Sequence, residues 1–173
     1  MSDTKQRKGG LGLILTLVGI VMAAFAAGIG FGIGFVIYEV RQTQETVHAF
    51  HGSLREGESI LTKLEDHRFL ERALPTRGSA IHVRSTPKKL ACIWVFRSAN
   101  GSLRVGKALA PADENLRLDE FPARVRELRT SLEECDEVDF TIQSGSTMHR
   151  GTVRVHYDRE LKIRSVDAPY FWD

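Results

Sequence analysis

Residues 11–38 read LGLILTLVGIVMAAFAAGIGFGIGFVIY, a run of 28 residues that contains no charged side chain. As a helix this run would be about 42 Å long, whereas the hydrocarbon core of a bilayer is about 30 Å thick. A helix of a small soluble domain is seldom apolar on every side over such a length. The stretch therefore predicts one transmembrane helix that tilts or runs past one membrane surface.

The residues around this run predict an uncleaved signal-anchor with a cytoplasmic N-terminus. Three of the first eight residues are basic, which makes residues 1–10 a short basic tail. In residues 39–58, by contrast, the only basic residues are Arg41 and Arg55. Because basic flanks stay on the cytoplasmic side, the rest of the chain is expected to be periplasmic or otherwise extracytoplasmic. The alternative is a cleaved signal peptide with a small-residue site at 24–26, but the chain stays apolar well beyond that site.

Small residues form two neighbouring rows at four-residue spacing along the second half of the span. The rows consist of Ala24, Gly28 and Gly32, and of Ala26, Gly30 and Gly34. Such rows allow two helix backbones to approach closely in lipid, which predicts a homodimer or docking onto another membrane protein. The alternative is that glycine is simply common in transmembrane helices.

The charge of the chain is unevenly placed. The whole chain has 24 basic and 22 acidic residues and a net charge of +2, whereas residues 39–173 hold 21 of each. The excess of two positive charges therefore lies in the basic tail, where it predicts the orientation of the chain in the lipid bilayer. A neutral domain with matched charges predicts a salt-bridged surface and argues against nucleic acid as a partner.

Residues 39–57 are predicted to be a juxtamembrane helical stalk or linker. Apolar side chains follow a heptad pattern through this segment and beyond it, at Val40, Val47, Phe50, Leu54, Leu61 and Leu64. This pattern fits a parallel coiled coil, or a stripe that packs on the protein's own sheet, which we favour after Gly57. Gly52 and Gly57 are expected to divide the segment, because glycine is costly in a helix.

Residues 58–173 are predicted to form an α+β domain of approximate order α-βββ-α-βββ. One helix precedes residue 74, and the other runs from about 122 to 134 with a single apolar stripe. Strands are predicted by alternation or apolar runs at 80–85, 90–96, 102–109, 138–142, 152–157 and 161–166. Turns are expected at 86–89, 100–101 and 145–146, and a loop at 110–118. The two amphipathic helices should pack on one face of an antiparallel sheet.

Two cysteines and six histidines are the candidates for site chemistry. Cys92, on the strand face of Trp94 and Phe96, and Cys135, on the apolar stripe of the second helix, are both expected to point inward. They could form one disulfide in an oxidising compartment, or pack as two small core thiols. The histidines have no partners at metal-ligand spacing, so they are expected to be surface residues, including His48-x-x-His51.

The chain contains no nucleophile elbow, P-loop, dinucleotide fingerprint or metalloprotease motif. We therefore predict no catalytic residue, no cofactor and no metal. Three consecutive aromatics, Tyr170, Phe171 and Trp172, are expected to close the core or to contact a partner. The function predicted from these features is a non-catalytic binding or assembly module anchored at the membrane, with a membrane-tethered enzyme as an alternative.

The short basic leader that ends in Lys8-Gly9-Gly10, followed by a long apolar helix and a sheet domain, superficially resembles a type IV pilin or pseudopilin. The resemblance covers about the first forty residues and implies cleavage after Gly9 or Gly10, with a structural subunit of a filament as the product. The usual glutamate at the fifth mature position is replaced here by Ile14 or Leu15. The layout is also similar to that of respiratory-complex assembly factors and translocase accessory subunits, by analogy alone.

Overall fold

The computed structural model describes residues 7–86, 90–107, 114–144 and 149–172. Contacts divide the chain into two compact units, Met1–Tyr38 and Glu39–Asp173. The first helix, α1 (Arg7–His51), supplies the apolar segment of the first unit and then continues into the second. Its described part is long and apolar enough, by length and composition, to cross a membrane. The leader before residue 7 and the predicted turns at 87–89 and 145–146 lie outside the described residues.

The second unit, here called the domain, is an α+β fold whose centre is an antiparallel sheet. Its strands are β1 (Ala80–Ser85), β2 (Leu90–Arg97), β3 (Leu103–Lys107), β4 (Glu114–Leu116), β5 (Glu137–Gln143), β6 (Arg150–Tyr157), β7 (Ile163–Val166) and β8 (Tyr170–Trp172). Their spatial order is β4-β3-β2-β1-β5-β6-β7. The last strand, β8, also pairs with β6, so that β7 and β8 lie along the same edge.

The described helices of the domain cover one face of this sheet. They are the end of α1, α2 (Ile60–Glu65), α3 (His67–Ala73), α4 (Phe121–Glu127) and α5 (Arg129–Glu133). Phe50 of α1, Phe69 of α3 and Phe140 of β5 form an aromatic cluster whose ring centroids are 5.0–5.6 Å apart. Because side chains alternate between faces in a regular strand, every second residue faces this core wherever the pairing has no bulge.

Local signals in the sequence set the boundaries of these elements. The Ser59 side chain accepts a hydrogen bond from Thr62 N–H at the start of α2, and Asp66 accepts one from Arg68 N–H at the start of α3. Such caps satisfy helix N–H groups that have no partner inside the helix. Gly101 has φ +83°, which only glycine adopts readily, and it turns β2 into β3 as the Asn100-Gly101 pair predicts.

The α+β class is confirmed in general, but the element order differs from the predicted one. Each predicted amphipathic helix consists of two short helices, divided at Asp66 and at Leu128. Each group of three predicted strands contains a fourth, because Glu114–Leu116, expected in a loop, forms β4 and Tyr170–Trp172 forms β8. Strands of three residues are too short to show an alternating pattern, which is why the sequence did not reveal them.

The segment 39–57, predicted as a separate stalk or linker, packs within the domain. Val47, Phe50 and Leu54 are buried in the core, and the Thr43 side chain is 1% exposed. The heptad stripe therefore faces the protein's own sheet before Gly57 as well as after it. The domain boundary lies at Tyr38, and not at residue 57.

The strand β2 contains a bulge that changes the direction of Cys92. Val83 pairs with Ile93, whereas the next residue, Arg84, pairs with Ala91, so Cys92 is one extra residue in its strand. The prediction that Cys92 shares a strand face with Trp94 and Phe96 is therefore wrong. The bulge turns Cys92 toward the helix-covered face, whereas Trp94 keeps its place on the opposite face.

Candidate functional site

The sheet face opposite the helices, here called the open face, carries most of the polar strand residues. It includes Ala80, His82, Arg84, Trp94, Phe96, Arg104, Gly106, Glu137, Asp139, Thr141, Thr152, Arg154 and His156, as the strand registers place them. No helix within the described ranges lies on this face. It is therefore a described surface of the domain that can receive another molecule.

A network of ion pairs occupies the centre of the open face. The Asp139 carboxylate is 3% exposed and accepts hydrogen bonds from Arg154 Nε at 2.8 Å and Arg154 Nη2 at 3.3 Å. Arg84 Nη2 lies 3.4 Å from the same carboxylate on its other side. Arg154 Nε also lies 3.2 Å from Glu137 Oε1, so two covered acids neutralise two partly exposed guanidinium groups.

The electrostatic surroundings change the proton affinity of two members of this face. The hydrogen bonds to Asp139 raise the pKa of the Arg154 guanidinium, which stays charged at every ordinary pH. Burial lowers the pKa of His82, and the adjacent Arg84 lowers it further, while Asp139 acts in the opposite direction. His82 is therefore held neutral in the folded domain near pH 7.

A cleft of about 330 Å³ lies beside this network and is lined by Arg84, Ser85, Thr86, Glu137 and Arg154. Two guanidinium groups and two hydroxyl groups give it donors for an oxyanion, but Glu137 contributes a negative charge to the same wall. His82 and His156 do not belong to this lining. His156 instead lies between Glu137 (3.7 Å) and Asp167 (3.4 Å).

An aromatic platform flanks the network on the side of β2 and β3. The rings of Trp94 and Phe96 stack with centroids 5.6 Å apart and an interplanar angle of 13°, and the Arg104 guanidinium lies 5.8 Å from the centroid of Phe96. Trp94 lies flat over Gly106, where any Cβ would overlap its indole ring. Glycine is therefore required in this strand for the platform to form.

A second aromatic surface lies at β8, on the edge of the sheet beyond β6. The register places Tyr170 and Trp172 on the open face, beside Thr152 and Arg150, whereas Phe171 points to the helix-covered face. Tyr170, Phe171 and Trp172 are 45%, 38% and 46% exposed, and β8 holds them by pairing with β6. Trp172 Nε1 donates a hydrogen bond to Thr152 Oγ1 at 3.2 Å, and the Arg150 guanidinium lies 5.6 Å from the Trp172 ring centroid. The three rings form an ordered edge, which we call the β8 strip.

The other residues singled out from the sequence fall in separate places. Cys92 and Cys135 are bonded to each other, with a separation of 43 positions along the chain. The two glycine rows lie on α1, where a Cβ at Gly28, Gly30, Gly32 or Gly34 would meet no atom within 4 Å. The His48 ring contacts Phe171, with centroids 5.5 Å apart. Among the described residues, no three histidine, cysteine or acidic side chains are grouped for a metal ion.

The ion-pair network and the platform were not predicted from the sequence. Alternation in 138–142 places Asp139 on the polar strand face, but only the register of β5 against β6 brings it to Arg154. A usable signal did exist for Gly106, because an isolated glycine inside a strand pattern often marks the close approach of another group. No corresponding signal exists for the pairing of Glu137 and Asp139 with their arginines.

No protein-family model matches this chain, and searches of the curated proteins and of the solved structures find no match either. Its function must therefore be inferred from the surfaces of the domain.

Proposed function

We propose that this protein is a single-pass, membrane-anchored binding module without catalytic activity, and that its domain serves as an accessory factor in the assembly of a membrane complex. The apolar part of α1 supports anchoring, because it is long enough to cross a bilayer and has no buried side chain in its described apolar window. The distribution of basic residues supports an extracytoplasmic domain. The rows of small residues on α1 support association with a second membrane helix.

The observation that carries the proposal is the composition of the open face. It presents Trp94, Phe96 and Arg104 as a stacked platform, and next to it Arg84 and Arg154 over their covered acids. Tryptophan and arginine are the residue types most enriched at the energetic centres of protein interfaces. The acids beneath the arginines fix the guanidinium groups in position, which lowers the entropic cost of binding.

The arrangement on the open face favours binding over catalysis. The carboxylate of Asp139 is committed to two arginines, and His82 has a lowered pKa that burial and Arg84 explain without a reacting partner. The cleft beside them is lined by neither histidine, and the carboxylate in its lining, Glu137, is paired with Arg154 at 3.2 Å. A catalytic acid or base needs a histidine or carboxylate whose proton can reach a bound substrate.

Site-specific photocrosslinking in cells tests this function. A photoreactive amino acid at the exposed position 104 of the full-length protein should give one discrete adduct, and the adduct should co-purify in mild detergent as a stoichiometric complex. The matched control is the same amino acid at Arg159, an exposed position in the turn after β6. Equal or absent crosslinking at the two positions would contradict the proposal. A reporter that is active on only one side of the membrane, fused after residue 173, tests the orientation separately.

A further inference from the structure

The β8 strip carries the most exposed large hydrophobic side chains of the described domain. Outside the apolar helix, the exposed large hydrophobic residues among those described are Tyr170, Phe171 and Trp172 alone. Their rings are fixed by the pairing of β8 with β6, by the hydrogen bond from Trp172 to Thr152, and by the contact of Phe171 with His48. An ordered aromatic edge of this kind is a candidate interaction site, because exposed apolar patches in stable domains mark such sites.

The strip lies at the end of the domain that contains its first residue, Glu39. Thr43, four residues after Glu39, donates a hydrogen bond to the Ser144 carbonyl at 3.1 Å, just beyond the end of β5. Val47 packs over Gly151, where the Phe171 ring also lies, and this contact is only eight residues after Glu39. At 1.5 Å per residue, these two contacts lie about 6 and 12 Å along the helix axis from Glu39.

The order of residues along the strands brings Trp172 closer still to this end. Gln143, next to Ser144, pairs with Arg150, and Arg150 pairs with Trp172. Tyr170, two residues earlier, pairs with Thr152 farther along β6. Within the domain, Trp172 and Arg150 therefore occupy the same sheet end as the Thr43 contact.

We propose that the β8 strip contacts the headgroup layer of the phospholipid bilayer in which the apolar helix is anchored. This inference rests on the proposed anchoring. Tryptophan and tyrosine are the residues that accumulate at membrane–water interfaces, and Arg150 beside Trp172 supplies a planar donor for lipid phosphate. The headgroup layer adds about 5–7 Å to each side of the hydrocarbon core, and the Thr43 contact, at the same sheet end as Trp172, lies about 6 Å from Glu39 along the helix axis. Because the anchor holds the strip at the surface, even a weak contact is populated.

Fluorescence quenching by labelled lipids tests this contact, because the chain has only two tryptophans, Trp94 and Trp172. The full-length Trp94→Phe variant leaves Trp172 as the one emitter, and the matched Trp172→Phe variant leaves Trp94 on the open face. Each variant is reconstituted into nanodiscs of phosphatidylcholine and phosphatidylglycerol at one copy per disc. The quencher is a nitroxide on the lipid headgroup, and circular dichroism confirms that both variants are folded.

The proposal expects the headgroup nitroxide to quench Trp172 at least about twofold more strongly than Trp94, since only Trp172 lies at the interface. Adding Arg150→Ser to the Trp94→Phe variant should reduce that difference. Equal quenching of the two tryptophans would overturn the proposal. Protection of Trp172 from aqueous iodide only at several copies per disc, without headgroup quenching, would identify a second copy of the chain as the occupant and would also overturn it. Flotation with vesicles after a carbonate wash reports the anchoring itself, so a failure of the proposed function is recognised separately.

Discussion

Replacing Asp139 by asparagine tests whether the ion-pair network of the open face stabilises the domain. The substitution keeps the size of the side chain and an oxygen that can accept one hydrogen bond, but it removes the negative charge between Arg84 and Arg154. The Asp139 carboxylate is 3% exposed, whereas the side chains of Arg154 and Arg84 are 31% and 39% exposed. The variant therefore leaves two neighbouring guanidinium groups with only Glu137 to compensate them.

The expected loss of stability depends on how well water can solvate the charged groups that the substitution leaves without a partner. Removing one partner of a fully buried ion pair costs about 3–5 kcal/mol, because the other charge is left without compensation. Both arginines are partly exposed and can be resolvated, and the amide oxygen of the substituted side chain would still accept one hydrogen bond from Arg154. We therefore expect Asp139→Asn to lower the free energy of unfolding by about 2 kcal/mol. For a domain of this size, that corresponds to a fall in Tm of about 8 °C.

The assay is thermal and urea unfolding of the full-length protein in detergent at pH 7.4, followed by circular dichroism. Glu160→Gln is the matched control, because Glu160 is 73% exposed and pairs with Lys162 at 2.9 Å on the surface. An exposed pair of this kind contributes less than about 1 kcal/mol, so the control should stay close to wild type. A loss of under about 0.5 kcal/mol for Asp139→Asn would refute the argument that burial of this carboxylate matters, and so would an equal loss for both variants.

Three further changes probe the platform, the disulfide and the half-buried His82. Gly106→Ala places a methyl group in the Trp94 ring and should lower stability by about 1–3 kcal/mol and alter the near-ultraviolet circular dichroism of that tryptophan. Reduction of Cys92–Cys135, whose sequence separation is 43, should lower stability by about 4 kcal/mol in the loop-entropy account, measured by urea unfolding with and without reductant. His82→Gln should make stability less dependent on pH between 7.5 and 5.5, as measured in paired thermal melts. The reason is that the pKa of this histidine is lower in the folded than in the unfolded state. As the pH falls below about 6.5, the unfolded chain therefore takes up a proton first, which lowers the stability of the wild type but not that of the variant.

Each of these changes has a control. Gly52→Ala serves for Gly106, because the new Cβ would be no nearer than 3.5 Å to another heavy atom. Thiol alkylation of the unfolded, unreduced protein serves for the disulfide, and two labelled thiols would contradict the bond. For His82, the half-buried His156→Gln variant serves as the comparison, and a pH profile of His82→Gln identical to that of wild type would show that burial of this ring does not oppose its protonation.

The strands of the domain were largely predictable, because burial on one sheet face imposes a period of two on the sequence. The alternation at 80–85 and 138–142 corresponds to β1 and β5, and the pair Asn100-Gly101 marks the turn between β2 and β3. Each of these signals is local, since it depends only on neighbours along the chain. Signals of this kind can be recognised in a single sequence.

Features that depend on distant contacts were not predictable in the same way. The stripe of Val47, Phe50 and Leu54 would look identical whether it faced a second helix or the protein's own sheet, since both need an apolar face at helical spacing. The stripe faces the sheet here because Phe69 and Phe140 surround Phe50. Only the arrangement of β5 beside α1 and α3 decides between these outcomes.

The bulge at Cys92 shows how a single residue changes the assignment of a whole surface. In a regular strand, Cys92 would point in the same direction as Trp94 and Phe96, and all three would be expected in one core. With the extra residue, Cys92 turns to Cys135 on the helix side, and the two aromatic rings stay on the open face. The strand β2 therefore has helices over one face and its aromatic platform on the other. The same rings that the sequence assigns to the core lie in this way on the open face, where we propose that a partner binds.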